Sequence, residues 1–180
     1  MRFDRTEDGE RIHIEDFAQV FGVMPQKKYE RATYRSIAKV LAIETSNADI
    51  EEFIRRLVFN TLIGNADMHL KNWSLIYHDR RSPSLAPAYD FVSTIAYIED
   101  DNAALKYART KKMAELSLDE LAYLSAKAGL PAPLVRRTAL DTVARFHEIW
   151  GAEKTHLPLS ADTVGKVDAH IGALQIAKPG

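Results

Sequence analysis

The sequence contains no cysteine, which excludes disulfide bonds, thiolate zinc sites and a cysteine nucleophile. No apolar run approaches the roughly 18 residues that a membrane-spanning helix needs. The first residues are charged and lack the apolar middle of a signal peptide. The chain has 24 lysines and arginines against 25 aspartates and glutamates, so it lacks the strong positive charge typical of nucleic-acid-binding proteins. These absences predict a cytoplasmic protein with no membrane contact and no direct binding to nucleic acid.

The residues that are present predict one domain, 1–180, of the α+β class and mostly α-helical. The hydrophobic fraction of 46% and charged fraction of 27% are ordinary for a globular chain of 180 residues. Apolar residues recur at helical spacing in five stretches, which are 36–43, 50–62, 118–128, 134–150 and 161–174. Loose alternation over residues 1–17 predicts a broken β-ribbon, and two apolar runs around the turn 79–83 predict a central β-hairpin.

Capping residues predict where two of the helices begin and end. Asp49, with Glu52 three residues later, has the spacing of a capping box and predicts the start of the second helix. Gly64 predicts its end, because glycine adopts the left-handed conformation at little cost. Gly151 likewise predicts the end of the fourth helix.

The polar loop between the second helix and the hairpin carries the residues best suited to chemistry. Asp67 and Asn72 have the D-x-x-x-x-N spacing of a protein-kinase catalytic loop. In such a loop a carboxylate accepts the proton of the attacking hydroxyl, and an amide oxygen holds a metal ion. Asp90 follows the second strand of the hairpin, whose two ends lie close together, so it could supply the second carboxylate of the site.

Two other interpretations of this loop stay open on the residues alone. Asn65 and Asp67 after a glycine are also typical of a simple turn, because both side chains can bond to nearby backbone. Alternatively, Asp67, His69 and Asp90 could hold a metal ion in a phosphohydrolase, although this set of ligands is incomplete.

Two stretches resemble the HipA family, bacterial serine/threonine kinases that act as toxins of type II toxin–antitoxin pairs. They are LIGNADMHLKNWSL at 62–75 and APAYDFVS at 86–93. Flanking segments such as RFDR at 2–5 and KYE at 28–30 agree in order, and the resemblance is strongest over residues 1–129.

The resemblance implies a protein-kinase-like C-terminal lobe with ATP as co-substrate and Mg²⁺ as cofactor. By position, Asp67 would be the catalytic base, His69 and Phe3 would contact the nucleotide, and Asn72 and Asp90 would bind Mg²⁺. His69 stands where many eukaryotic-type kinases have a lysine, two residues after the base. The family further implies a helix-turn-helix antitoxin as partner and a protein substrate such as an aminoacyl-tRNA synthetase.

The sequence departs from the family at its start, where Met1 directly precedes the segment that would form the hinge. The eight glycines are scattered, and no glycine-rich phosphate loop or strand lysine is found. We therefore expect the N-terminal lobe to be missing, so that the phosphotransfer site is incomplete unless a separate subunit supplies that lobe. The alternative function is a non-catalytic remnant lobe that binds an antitoxin or another partner.

Overall fold

The computed structural model describes residues 2–29, 31–98 and 100–178. The strands are β1 His13–Asp16, β2 Ser74–Tyr77 and β3 Ser84–Leu85. The helices are α1 Phe17–Val20, α2 Tyr34–Glu44, α3 Asn47–Leu62, α4 Leu118–Ala128, α5 Ala132–Glu153 and α6 Ala161–Ala173. The predicted mostly helical α+β class is confirmed. No helix in the described ranges is both long and apolar enough to cross a bilayer.

The strands form one antiparallel sheet in the order β1-β2-β3. The predicted hairpin is its β2–β3 half, in which Leu75 lies opposite Leu85. The predicted N-terminal ribbon supplies β1, which joins the other edge of β2 through the pairing of Ile14 with Ile76. The sheet therefore fixes the start of the chain beside the strand that follows the 65–72 loop.

The core lies between this sheet and the long helices. Trp73, at the entrance to β2, is fully buried and packs against the rings of Phe53 on α3 and Tyr34 on α2. The hydroxyl of Tyr34 donates a 2.9 Å hydrogen bond to the carbonyl of Met68. Hydrophobic packing and this polar contact together hold the 65–72 loop against the core.

Two of the predicted helix boundaries are wrong. Helix α3 begins at Asn47 with Ser46 as its N-cap, and Asp49 is the third residue of the resulting capping box. Asp49 also accepts a hydrogen bond from the backbone of Leu85, which ties α3 to the sheet. Helix α5 continues through Gly151 to Glu153, because a single glycine weakens a helix without ending it.

Candidate functional site

The loop 65–72 is held in shape by hydrogen bonds from its own side chains. Gly64 ends α3 with a left-handed φ of 66° and turns the chain into the loop. The backbone N–H of Asp67 donates to Oδ1 of Asn65 at 2.9 Å, which is the contact that the turn interpretation requires. The side-chain amide of Asn72 donates to the carbonyl of Asp67 at 2.9 Å. Asp67 and Asn72 are therefore joined within one rigid turn.

A chain of buried polar side chains supports this turn from α3. The side-chain amide of Asn65 donates to Oδ1 of Asn60 at 2.8 Å, and that of Asn60 donates to the carbonyl of Arg56. The Arg56 guanidinium in turn donates to the carbonyl of Ala86 at 2.7 Å. Because a buried polar group is costly to leave unpaired, this series of bonds resists movement of the loop.

The segment after Asp90 packs back onto the same loop. The hydroxyl of Thr94 accepts a hydrogen bond from the N–H of Ala66 at 2.8 Å and donates one to the carbonyl of Gly64 at 3.0 Å. Asp90 itself is exposed and has a left-handed φ of 59°, a conformation that is unfavourable for most residues. Residues in such sparsely populated backbone conformations cluster at functional sites.

The carboxylate of Asp67 is available to a substrate yet already accepts a hydrogen bond. Its side chain is 47% exposed, and Oδ1 lies 3.8 Å from Nε2 of His69. The hydroxyl of Tyr29, from the loop that precedes α2, donates to the same Oδ1 atom. Partial burial, followed by the bond and charge of Asp67, raises the pKa of Tyr29 to about 12. Asp67 thus already binds a protonated hydroxyl.

His69 is almost fully buried, at 5% exposure. Burial lowers its pKa, and the charge of Lys28 lowers it further, while the charges of Asp67 and Asp90 act in the opposite direction. The ammonium of Lys28 lies 2.5 Å from Nε2 and must be the donor. The other ring nitrogen, Nδ1, has no partner among the described residues, which costs about 1–3 kcal/mol.

Phe3 contacts the segment that carries Asp90 rather than the 65–72 loop itself. Its ring stacks on that of Tyr89, with the centroids 5.7 Å apart. The hydroxyl of Tyr89 donates to the carbonyl of Lys71 at 2.7 Å and contacts the hydroxyl of Ser74. Tyr89 therefore links the start of the chain to the end of the loop.

The structure brings three of the predicted residues, Asp67, His69 and Asn72, into one turn. Asp90 is near enough for its charge to act on His69, and Phe3 lies beside the neighbouring Tyr89. No cluster of three or more histidine, aspartate or glutamate side chains suited to a metal ion occurs in the described part of the chain.

Sequence reasoning missed Lys28 and Tyr29 as part of this site. Their loop shows no periodicity, and about 40 residues separate them from Asp67 and His69. The only signal was their membership of a segment that resembles a known family.

Three kinds of known protein data match this chain, namely a family model, named relatives and a solved structure. Residues 1–150 match the model of the HipA-like C-terminal domain. The chain is 61% identical over 176 residues to the Sinorhizobium fredii protein named "Putative kinase Y4dM", a match that covers 97% of the chain and 43% of that protein. A second protein of that organism, "Putative kinase Y4mE", is 34% identical over 152 residues, covering 79% of the chain and 36% of that protein.

A solved structure shares the fold over nearly the whole chain. It is HipA of Shewanella oneidensis, in a complex with HipB and operator DNA, with a TM-score of 0.75 and 25% sequence identity. The match covers 98% of this chain and 46% of that one. The predicted fold of this chain, a protein-kinase-like C-terminal portion, is therefore confirmed. The chain spans less than half the length of each of these relatives.

Proposed function

The chain belongs to the HipA-like C-terminal domain family, and from this premise we propose that it carries the base and metal-binding half of a serine/threonine protein kinase site. The observation that carries the proposal is the rigid turn in which Asn72 bonds to the backbone of Asp67. The segment after Asp90 packs onto that same turn through Thr94. These contacts support a site in which Asp67 is the base and Asn72 and Asp90 are the two oxygen ligands.

Asp67 is the residue suited to accept the proton of the attacking hydroxyl. Its carboxylate is half-exposed and already accepts an O–H bond from Tyr29, so a serine or threonine hydroxyl could take the same position. As that hydroxyl oxygen attacks the γ-phosphorus of ATP, its proton passes to Asp67 and the bond to ADP breaks. His69 is buried and its Nε2 already accepts a hydrogen bond from the Lys28 ammonium, which suits it to a supporting contact rather than to the role of base.

The side chains of Asn72 and Asp90 fit the Mg²⁺ ion that such a reaction uses. Asn72 donates its amide N–H to the Asp67 carbonyl, which leaves the amide oxygen as its ligand atom. An amide oxygen and a carboxylate are hard oxygen ligands, the type that Mg²⁺ takes together with water and phosphate. When bound, the ion neutralises charge that develops on the transferred phosphoryl group.

The test is a chimera in which this chain replaces the matching region of Y4dM. We expect it to transfer the γ-phosphate of ATP to serine or threonine in a protein substrate. Asp67→Asn should lower turnover by a factor of about 100 or more, because it keeps the shape and removes the proton acceptor. Asp162→Asn, which changes an exposed carboxylate on α6, is the matched control and should leave turnover unchanged. An Asp67→Asn chimera with unchanged turnover would contradict the proposal.

An antitoxin is the partner that we propose for the whole protein. The support is the similar Shewanella HipA, which was solved with HipB and operator DNA. A chimera that binds an antitoxin but transfers no phosphate would favour the alternative function, a non-catalytic binding lobe. The aminoacyl-tRNA synthetase substrate and the separate N-lobe subunit remain predictions.

A further inference from the structure

We propose that Lys28 is the phosphate-binding cation of the Asp67 site, supplied from the loop before α2. The inference rests on the proposed function, because it assigns Lys28 to the γ-phosphate of the nucleotide used there. Transfer of a phosphoryl group depends on positive charge close to the phosphate oxygens. A side chain close to the base must therefore provide that positive charge.

The 65–72 loop contains two basic residues, and neither is placed to do so. His69 is buried, and its Nε2 is occupied by the hydrogen bond from the Lys28 ammonium, so it presents no cationic group to a ligand. Lys71 is exposed, and its carbonyl is held by the hydroxyl of Tyr89. The loop therefore has a base and a metal ligand but no fixed cation of its own.

Lys28 brings a positive charge to this point from another part of the fold. Its ammonium lies 2.5 Å from Nε2 of His69, which itself lies 3.8 Å from the Asp67 carboxylate. Because Nε2 of the imidazole is the acceptor and carries no negative charge, this contact fixes the position of the ammonium without cancelling its charge. The ammonium keeps further N–H donors for a ligand, since a lysine has three.

Tyr29 anchors Lys28 in this position. Its ring lies edge-on to that of His69 at 5.1 Å, and the Lys28 ammonium is 5.0 Å from the same ring. These ring contacts do not depend on the Tyr29 hydroxyl, which a substrate hydroxyl would replace at Asp67. The Tyr29 ring thus keeps the Lys28 ammonium close to His69, the neighbour of the base. The buried Nδ1 of His69, unpaired among the described residues, shows that this arrangement is kept at a cost in stability.

The experiment measures the affinity of the 180-residue chain for ATP and for adenosine by NMR titration, which also detects weak binding. We expect Lys28→Ala to weaken ATP binding about tenfold, because a hydrogen bond to a charged group is lost. Adenosine, which has no phosphate, should bind the variant as it binds the wild type. Lys27→Ala removes the same charge from the adjacent exposed residue and should change neither affinity. Lys28→Arg should restore most of the ATP affinity.

Three results would overturn the inference. They are equal ATP affinity in the Lys28→Ala and Lys27→Ala variants, an equal loss of adenosine and ATP binding, and no ATP binding by the wild-type chain. Each of these can be separated from failure of the proposed function. Phosphate transfer by the Y4dM chimera and its loss on Asp67→Asn would still support the kinase site if Lys28 proved unimportant.

Discussion

His69 makes the stability of the folded chain depend on pH. Burial lowers its pKa below the ordinary value of 6.5, so the unfolded chain binds a proton more readily than the folded one. The stabilising contribution is complete above pH 6.5 and is lost as the pH falls through the lower pKa of the folded state. We expect the free energy of unfolding, measured by urea titration, to decrease as the pH is lowered from about 7.5 to about 5.

The variant His69→Gln should reduce this pH dependence, because it removes the group that titrates. His78→Gln, at an exposed position after β2, is the control and should leave the pH dependence as it is in the wild type. Identical pH profiles for His69→Gln and the wild type would show that the buried imidazole does not control acid stability.

Glu120, near the start of α4, is a second residue whose charge stabilises the fold. Its carboxylate is 3% exposed and accepts hydrogen bonds from the backbone of Ala108 and Arg109 and from the Arg109 side chain. Burial alone would raise its pKa, but these bonds outweigh burial and lower it. Its contribution is therefore present above the ordinary value of 4.5 and is lost as the pH falls through the lower pKa of the folded state.

Glu120→Gln should lower the free energy of unfolding at pH 7 by about 2 kcal/mol, since the amide cannot accept all of these bonds. Asp119→Asn is the adjacent control. Asp119 also contacts Arg109 but is 82% exposed, so we expect a change below about 0.5 kcal/mol. Urea unfolding of both variants checks the difference, and equal effects would contradict the role given to the buried carboxylate.

At the scale of elements, the end of α3 depends on a glycine for two separate reasons. Gly64 has a φ of 66°, and a methyl group at its Cα would come within 2.6 Å of the Ile95 side chain. We expect Gly64→Ala to destabilise the fold by about 3 kcal/mol or more, from backbone strain together with overpacking. It should also move the 94–96 segment that holds the Asp67 loop.

Gly129→Ala separates the two causes. Gly129 has a similar φ of 75° at the end of α4, but no atom of the residues that the structure describes lies within 4 Å of the position that a methyl group would take. It should therefore show the conformational cost alone, about 1 kcal/mol. Urea unfolding of the two variants measures the difference, and equal losses would mean that the contact with Ile95 is unimportant.

Apolar periodicity in the sequence predicts the helices and strands themselves better than capping residues predict where they begin and end. Helices α2 to α6 and the β2–β3 hairpin follow from apolar periodicity, which depends only on neighbouring residues. The start of α3 was misplaced because Ser46 and Asp49 are both good capping residues, and the choice depends on the Leu85 backbone that Asp49 also binds. That contact joins residues 36 positions apart.

At the scale of the whole molecule, the proposed base and metal ligands lie on a chain whose sequence has no recognisable glycine-rich phosphate-binding loop. We expect the isolated 180-residue chain to transfer no phosphate from ATP, because positioning of the phosphates supplies most of the rate in this reaction. A radiolabelled ATP assay with a serine- and threonine-containing protein checks this, with the Y4dM chimera as the active control. Turnover by the isolated chain equal to that of the chimera would contradict the prediction.

The packing of the whole chain explains which residues of the candidate site the sequence could indicate and which it could not. Asp67 and Asn72 could be selected as candidates because the spacing within one short loop has a chemical meaning, and His69 because that loop resembles a known family. Lys28 and Tyr29 could not, because only the packing of the chain brings them to Asp67 and His69. A site residue is predictable from one sequence when its partners are local.

The pairing of β1 with β2 has a consequence for how the chain can be shortened. Without residues 13–16, one edge of β2 would present unpaired N–H and C=O groups to solvent. An open edge of this kind accepts strands from other molecules, and the buried Leu75 and Ile76 would make such contact favourable. A fragment that begins after Asp16 would therefore be prone to aggregation, and a free peptide with the sequence of β1 would suppress it by strand addition.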